Sequence, residues 1–196
     1  MIDAFYLSPW PGVLCWTALF VSDMLLTVTC ARMYQAGVRA RIVFEGSYEL
    51  TPYHQADIDA LRAFSPRFLF ALVAAGVLQA SLWWVSVGNS VVPMAYEAAL
   101  GAMILIQLTI HVRHIRNYFL FRAVLAGEGI EGRIQYTRPT LLTHSSVELF
   151  SFAALYSVLC VLTASWFVFG GAIACAIVGV KHRQLAKQHV AAAVAA

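Results

Sequence analysis

The chain has 196 residues, of which 61% are hydrophobic and only 12% are charged, and it carries a formal net charge of +3 at pH 7. That charged fraction is about half of what a soluble globular domain carries. A water-soluble fold of this size could not bury so much apolar surface. The composition therefore excludes a soluble fold and predicts a single transmembrane domain over residues 1–196.

Five apolar segments approach the roughly 20 residues that a helix needs to cross a lipid bilayer. Prolines near the start of three of them, at Pro66, Pro93 and Pro139, agree with helix starts there. The sequence predicts an all-α bundle of five transmembrane helices, of which the fifth is the shortest. The predicted spans are about 12–31, 66–88, 93–112, 141–163 and 166–181, and the cytoplasmic loops are about 32–65 and 113–140.

The basic residues predict the orientation of the bundle. All 13 Lys and Arg residues fall within or beside the two long loops or after the last span, and the positive-inside rule makes that side cytoplasmic. The N-terminal tail, the turn at 88–92 and the turn near Trp166 fall on the other side, where Trp10, Trp83 and Trp84 supply an aromatic belt. We therefore expect an external N-terminus and a cytoplasmic C-terminus, in a bacterial-type inner (plasma) membrane. This orientation explains the net positive charge, so we do not expect a nucleic acid as a partner.

The cytoplasmic segments carry local signals of their own. Residues 42–50, with Glu45-Gly46-Ser47 in the middle, predict a small hairpin. Thr51-Pro52 predicts the start of a short amphipathic helix whose apolar face includes Tyr53. The third helix is expected to continue past the membrane as far as Ala126, before the glycine-containing loop at 127–132.

Three carboxylates, Asp23, Glu97 and Glu148, lie within predicted spans, where an ionisable group costs at least about 2.5 kcal/mol. Each is therefore a candidate functional residue. The alternative is that they hold the bundle together through hydrogen bonds between helices. Helical periodicity places further polar residues near these acids, and depth assigns most of them to one polar cavity in the cytoplasmic half of the bundle. The predicted polar residues are Asp23, Gln107, His111, His144 and Glu148, with Glu97 as a separate outer site.

Three classes of function remain open, and the catalytic residues of an enzyme, if it is one, are unknown. The first is an ion- or proton-linked channel or transporter that uses Asp23 and Glu148 to bind or relay a cation. The second is a membrane protein, with or without enzyme activity, that binds a metal ion or haem, since imidazole and carboxylate are ligands for zinc, iron and copper. The candidate ligands are His111, His114, His144 and Glu148.

The third class is an accessory subunit of a larger membrane complex. Gly171, Cys175 and Gly179 form a face of small residues on the fifth helix, which is a packing signal for a neighbouring helix of the same chain or of another subunit. The partners expected are the lipid bilayer and a second copy of the chain or a larger complex. Transport is preferred, because it uses the intramembrane acids directly.

Overall fold

The structure is a computed structural model that describes residues 7–87 and 92–195. It is all-α, as predicted, with 81% of residues in helices. The described residues form six α-helices, two three-residue strands and a 3₁₀ turn at Val38–Ala40. The helices are α1 (Trp10–Ala36), α2 (Pro52–Asp59), α3 (Pro66–Val87), α4 (Val92–Leu125), α5 (Arg138–Thr163) and α6 (Trp166–Ala195), and the strands are β1 (Ile42–Phe44) and β2 (Ile134–Tyr136).

Four of the helices in the described ranges, α1, α3, α4 and α5, are long and apolar enough to cross a membrane. The apolar part of α6 ends at Val180, before Lys181 and Arg183, and is shorter than the roughly 20 residues of a full span. The predicted helical extension of the third span is confirmed, because α4 continues to Leu125. The predicted outer turn at 88–92 and the N-terminal tail lie largely outside the described residues.

The helices alternate in direction. α1 and α4 run the same way, because Asp23 contacts Gln107 near the middle of the two helices and Tyr34 packs beside Phe121 further along both. α3 runs against α1, since Phe68 packs near Met24 and Val28 while Leu82 and Trp83 pack near Trp16. The C-terminal ends of α1 and α4 and the N-terminal end of α3 therefore lie at one end of the bundle.

α5 and α6 continue the alternation. Glu148 near the start of α5 binds Arg113, and Tyr156 further along α5 approaches the Leu105 carbonyl, so α5 runs against α4. α6 runs parallel to α4, because Gly170 faces Ala98 and Cys175 faces Thr109. The basic segments that follow α1, α4 and α6 therefore gather at the same end, which we call the basic end of the bundle.

The small-residue face predicted on α6 packs against two helices of the same chain. A Cβ atom at Gly170 would collide with the Ala98 carbonyl of α4, and one at Gly171 would collide with the Leu105 side chain. Cys175 is completely buried, and Gly179 lies against Phe150 of α5. The close approach of the α6 and α4 backbones at Gly170 requires glycine, and the small residues that follow pack α6 against α4 and α5.

The hairpin predicted over residues 42–50 is wrong. β1 pairs in parallel with β2, far along the chain, with Ile42 opposite Ile134 and Phe44 opposite Tyr136. The backbone of β1 finds its hydrogen bonds in the second long loop, which leaves the residues after Phe44 available to cover the bundle. The local sequence pattern carried no information about this remote partner.

The short helix predicted after Thr51 is confirmed as α2, which begins at Pro52. Its buried face differs from the predicted one, because Asp57 and Ile58 are buried while Tyr53 is 47% exposed. Ile58 packs with Met24, Val28 and other residues of α1 and α3. α2 is therefore attached to the basic end of the bundle by this apolar contact and by a hydrogen bond that Gln35 Nε2 of α1 donates to the Asp59 carbonyl at 3.0 Å.

Candidate functional site

A cavity of about 820 Å³ lies between α1, α4 and α5. α1 and α4 contribute polar side chains near their middle, α5 contributes side chains between Leu141 and Leu149, and the segment between β1 and α2 covers the cavity at the basic end. The polar side chains that matter most to its chemistry are Asp23, Gln107, Arg113, His114, His144 and Glu148.

Asp23 of α1 is held by two residues of α4. Gln107 Nε2 donates a hydrogen bond to Asp23 Oδ2 at 3.2 Å, and His114 Nε2 lies 3.4 Å from Asp23 Oδ1. The Thr27 hydroxyl donates to the Asp23 carbonyl at 2.9 Å, so it accepts from His114 Nε2 at 3.3 Å. This arrangement puts the imidazole proton of His114 on Nε2, where it faces both Thr27 and the Asp23 carboxylate.

Glu148 of α5 is bound by two arginines of α4. Arg113 Nε donates to Glu148 Oε2 at 2.6 Å, and Arg116 Nη1 donates to Oε1 at 3.3 Å. The Arg113 and Glu148 side chains are 14% and 15% exposed, whereas that of Arg116 is 63% exposed. Two guanidinium groups and one carboxylate leave this cluster with a formal charge of +1 on the α5 side of the cavity.

His111 binds α1 instead of lining the cavity. Its Nδ1 lies 2.7 Å from the Gln107 carbonyl, which can only accept, so Nδ1 carries the proton. His111 Nε2 lies 2.8 Å from the Ser22 hydroxyl, which donates to the Leu19 carbonyl at 3.0 Å. His111 and His114 therefore make separate contacts with α1, and both join α4 to that helix.

Two further histidines, His144 of α5 and His182 of α6, line the cavity. His144 lines the cavity, and its ring meets the Tyr136 ring edge-on at 6.0 Å between centroids. Ser145 lies 2.7 Å from His182 Nδ1. Burial, with the positive charges of Arg113, Lys181 and Arg138, lowers the pKa of His182 to about 4. His182 is therefore neutral at pH 7.

The segment 45–51 forms a roof over the cavity at the basic end. Arg138, the first residue of α5, donates from Nη1 to the carbonyls of Ser47 and Glu49 and from Nη2 to the carbonyl of Leu50, at 3.2, 3.2 and 2.9 Å. Its backbone N–H also donates to Glu45 Oε2 at 2.7 Å. A single side chain thus fixes the backbone of the roof to the start of α5.

Tyr48 joins the roof to α4. Asn117 Nδ2 donates to the Tyr48 hydroxyl at 3.4 Å, and the Tyr48 ring packs 5.7 Å from the Phe121 ring. Burial raises the pKa of the Tyr48 phenol well above its ordinary value. Tyr48 is therefore a neutral hydrogen-bonding group between the roof and α4.

The structure brings four of the six predicted polar residues to one cavity, namely Asp23, Gln107, His144 and Glu148. His111 lies beside this cavity and faces Ser22, and the lining does not include Glu97. Sequence reasoning did not assign Arg113, Arg116 or the roof to the site. The spacing of Arg113 and Arg116, three residues apart on one helix, was the signal that could have indicated a shared partner.

The predicted metal ligands are divided between the cavity and the α1 contacts. His114, His144 and Glu148 line the cavity, whereas His111 does not. Within residues 7–87 and 92–195, no three His, Cys, Asp or Glu side chains are close enough together to hold one metal ion. Metal or haem binding stays a prediction from the sequence.

Comparison of this chain with family models, with curated proteins and with solved structures gives no match.

Proposed function

We propose that this chain is an integral protein of a bacterial-type inner (plasma) membrane, with α1, α3, α4, α5 and α6 crossing the bilayer. The N-terminus is external and the C-terminus is cytoplasmic. Three observations support this topology: four helices have the length and composition of a span, the five long helices alternate in direction, and the basic segments gather at one end. The positive-inside rule makes the basic end cytoplasmic.

Cysteine labelling tests the topology. In a background without Cys15, Cys30, Cys160 and Cys175, the variants Asn89→Cys, Ser165→Cys and Gln188→Cys are treated with a membrane-impermeant maleimide in intact cells. We expect the first two to react from outside and Gln188→Cys to react only after permeabilisation. Reaction of Ser165→Cys only after permeabilisation would show that α5 and α6 do not cross as proposed.

Within this topology, proton-linked transport is the activity that the cavity supports best. The single observation that carries this proposal is the Asp23 carboxylate, 3.4 Å from His114 on the wall of an 820 Å³ cavity between three helices. A carboxylate among transmembrane helices is costly unless it is paired or protonated. Exchange of a proton at Asp23 therefore changes how strongly α1 is held to α4, which is what a coupled carrier requires.

The groups around Asp23 define how its charge is balanced. Gln107 and His114 contact it from α4, Arg113 adds a positive charge from the same helix, and Glu49 adds a negative charge from the roof. Loss of a proton from Asp23 is offset by Arg113 and by the N–H of His114. Uptake of a proton removes the attraction between Asp23 of α1 and Arg113 of α4 and frees that interface to rearrange.

The outer half of the bundle is closed by apolar packing. Trp16 of α1 packs with Tyr96, Leu100 and Ile104 of α4, and all four are buried. Because α1 and α4 run the same way, this cluster lies on the far side of Asp23 from the basic end. Transport therefore needs a second arrangement in which this cluster separates.

Proton flux into proteoliposomes tests the proposed activity. Vesicles contain a pH-sensitive dye and the reconstituted protein, and valinomycin with potassium holds the membrane potential at zero. We expect the wild type to dissipate an imposed pH gradient faster than empty vesicles, and Asp23→Asn to match the empty vesicles. Wild-type flux that Asp23→Asn retains would overturn the role of Asp23.

Two threonines of α1 provide a matched comparison for the same assay. Thr27 contacts His114, whereas Thr29 makes the same kind of hydrogen bond to the carbonyl four residues earlier but does not line the cavity. Thr27→Val should slow the flux and Thr29→Val should leave it unchanged. Binding of a metal or haem, a role as an accessory subunit and homo-oligomer formation stay predictions from the sequence.

A further inference from the structure

Buried polar atoms without a hydrogen-bond partner are concentrated on the wall of the cavity. In the described part of the chain there are seven such side-chain atoms, and four of them belong to residues that line this one cavity. The four atoms are Asp23 Oδ1, His54 Nδ1, Arg113 Nη2 and His114 Nδ1. Because buried polar groups nearly always have partners, this concentration indicates a site whose ligand completes them.

The charges on the two sides of the cavity are opposite. On the α5 side, Arg113 and Arg116 share one carboxylate, Glu148, and leave a formal charge of +1. On the α1 side, Asp23 is bound by the neutral groups Gln107 and His114, and Glu49 of the roof adds to the negative potential there. A ligand that matches both sides carries one negative and one positive group.

We propose that the cavity binds a small zwitterion, with its ammonium group on Asp23 and its carboxylate or phosphate group on Arg113. This inference rests on the proposed transport function and names the class of substrate. Arg113 uses Nε for Glu148, so the edge formed by its two Nη atoms is left for a ligand. That edge presents parallel N–H donors, which match the two oxygens of a carboxylate or phosphate.

Asp23 and His114 suit the ammonium group. Asp23 Oδ1 makes only the 3.4 Å contact with His114 Nε2 and has no hydrogen bond in the described ranges. His114 Nδ1, unprotonated when Nε2 carries the proton, is a second acceptor without a partner among the described residues. An ammonium group has three N–H donors, which is enough to serve both acceptors and one more.

The remaining wall favours a ligand with a short apolar body. Phe20, Met24, Ile110, Leu120 and Phe121 line the cavity between and around the charged groups. Its volume lies in the range of small-molecule sites, about 300–1,000 Å³. Such a zwitterion has two sources, a free amino-acid-like solute or the phosphoethanolamine headgroup of a lipid, and the probes below separate them.

Isothermal titration calorimetry on the full chain in detergent tests the inference. The first probes are ω-amino acids from glycine to 8-aminooctanoate, each compared with the fatty acid and the alkylamine of the same length. The second probes are glycerophosphoethanolamine and dihexanoylphosphatidylethanolamine. We expect at least one zwitterion to bind about tenfold more tightly than both singly charged analogues, because each charge gains a buried partner.

The pattern among the zwitterions identifies the source. Preference for an ω-amino acid indicates a free solute, and preference for dihexanoylphosphatidylethanolamine over its headgroup alone indicates a lipid. If a singly charged analogue binds as tightly as the zwitterion at every length, or if no zwitterion binds, the inference is wrong. This comparison uses the wild type only and does not depend on any variant folding.

Variants then assign the two ends of the ligand. Asp23→Asn should reduce the affinity for the zwitterion to that for the carboxylate-only analogue. The double variant Arg113→Gln/Glu148→Gln, which leaves neither partner charged, should reduce it to that for the amine-only analogue. Arg122→Gln is the control, because Arg122 lies on the same helix and packs over the Tyr118 ring outside the cavity. An equal loss in Arg122→Gln would overturn the assignment.

The outcomes also separate this inference from the proposed transport function. Zwitterion binding without proton flux, measured with that zwitterion present, would keep the site and reject transport. Proton flux without zwitterion binding would keep transport and reject this class of substrate.

Discussion

Removal of the Glu148 charge is the perturbation whose magnitude the structure defines best. Glu148→Gln leaves Arg113 charged, 14% exposed and without its 2.6 Å partner. Exposed ion pairs are worth up to about 1 kcal/mol, whereas removal of one partner of a buried pair costs about 3–5 kcal/mol. At this exposure we expect Glu148→Gln to lower the free energy of unfolding by about 2–4 kcal/mol.

A double-mutant cycle isolates the part of this cost that belongs to the pair. Arg113→Gln should cost a similar amount, and Arg113→Gln/Glu148→Gln should cost less than the sum, with a coupling of about 1–3 kcal/mol. Arg116→Gln is the control, because its side chain is 63% exposed and its loss should cost under about 1 kcal/mol.

Reversible unfolding by a rising mole fraction of sodium dodecyl sulfate in mixed micelles, followed by circular dichroism, measures these values. If Glu148→Gln costs no more than Arg116→Gln, or if the two single effects simply add, the Arg113–Glu148 pair does not stabilise the bundle and our reasoning about its burial is wrong.

Three further predictions follow from the roof, from His182 and from the α4–α6 contact. Arg138→Gln removes three hydrogen bonds to the roof. Because bonds from charged donors are worth about 1.5–3 kcal/mol each, it should speed hydrogen–deuterium exchange in residues 45–51 about tenfold or more. Arg133→Gln, at an exposed position, is the control and should leave this exchange unchanged. The folded-state pKa of His182, about 4, lies below its ordinary value of 6.5. Between these two pH values the unfolded chain binds a proton at His182 and the folded chain does not, so the free energy of unfolding decreases as the pH falls from 6.5 to 4. The thermal midpoint of His182→Asn should fall less than that of wild type over this range, whereas the exposed His189→Asn should behave as wild type. Gly170→Ala places a Cβ against the Ala98 carbonyl and should destabilise the bundle by about 1–3 kcal/mol in the same detergent unfolding assay. Gly76→Ala is the control: its Cβ would make only an ordinary contact, 3.7 Å from the Val13 side chain, and alanine favours the helix by about 1 kcal/mol, so it should leave stability unchanged or raise it. Equal effects would contradict the close approach of α4 and α6.

The helices could be predicted from the sequence because each leaves a local signal. Apolar segments of nearly bilayer length indicated the five long helices, and Pro52 and Pro66 stand where helices begin. The pairing of β1 with β2 left no such signal. A three-residue strand has few side chains to mark it, and its partner is fixed by the way the helices carry the two loops to one end of the bundle.

The acids of the site could be predicted for a similar reason, since a carboxylate in an apolar segment is conspicuous. Arg113 was not recognised as their partner, because a basic residue near the end of a span is already explained by topology. The predicted polar site included His111 and not His114, although residues three apart on a helix point in similar directions, and it is His114 that lines the cavity. Only the packing of α4 against α1 decides which imidazole reaches the cavity.

The parallel pairing of β1 with β2 also has a consequence for biogenesis. β1 leaves the ribosome before α3 and α4, and β2 leaves it only after them. The backbone of β1 therefore lacks its hydrogen-bonding partner while two further helices are synthesised. The roof cannot form its hydrogen bonds to Arg138 until that residue, which comes after β2, has been synthesised. Nascent chains arrested before β2 should consequently carry an unprotected first loop that proteases cut, and protection should appear when the ribosome has passed the start of α5.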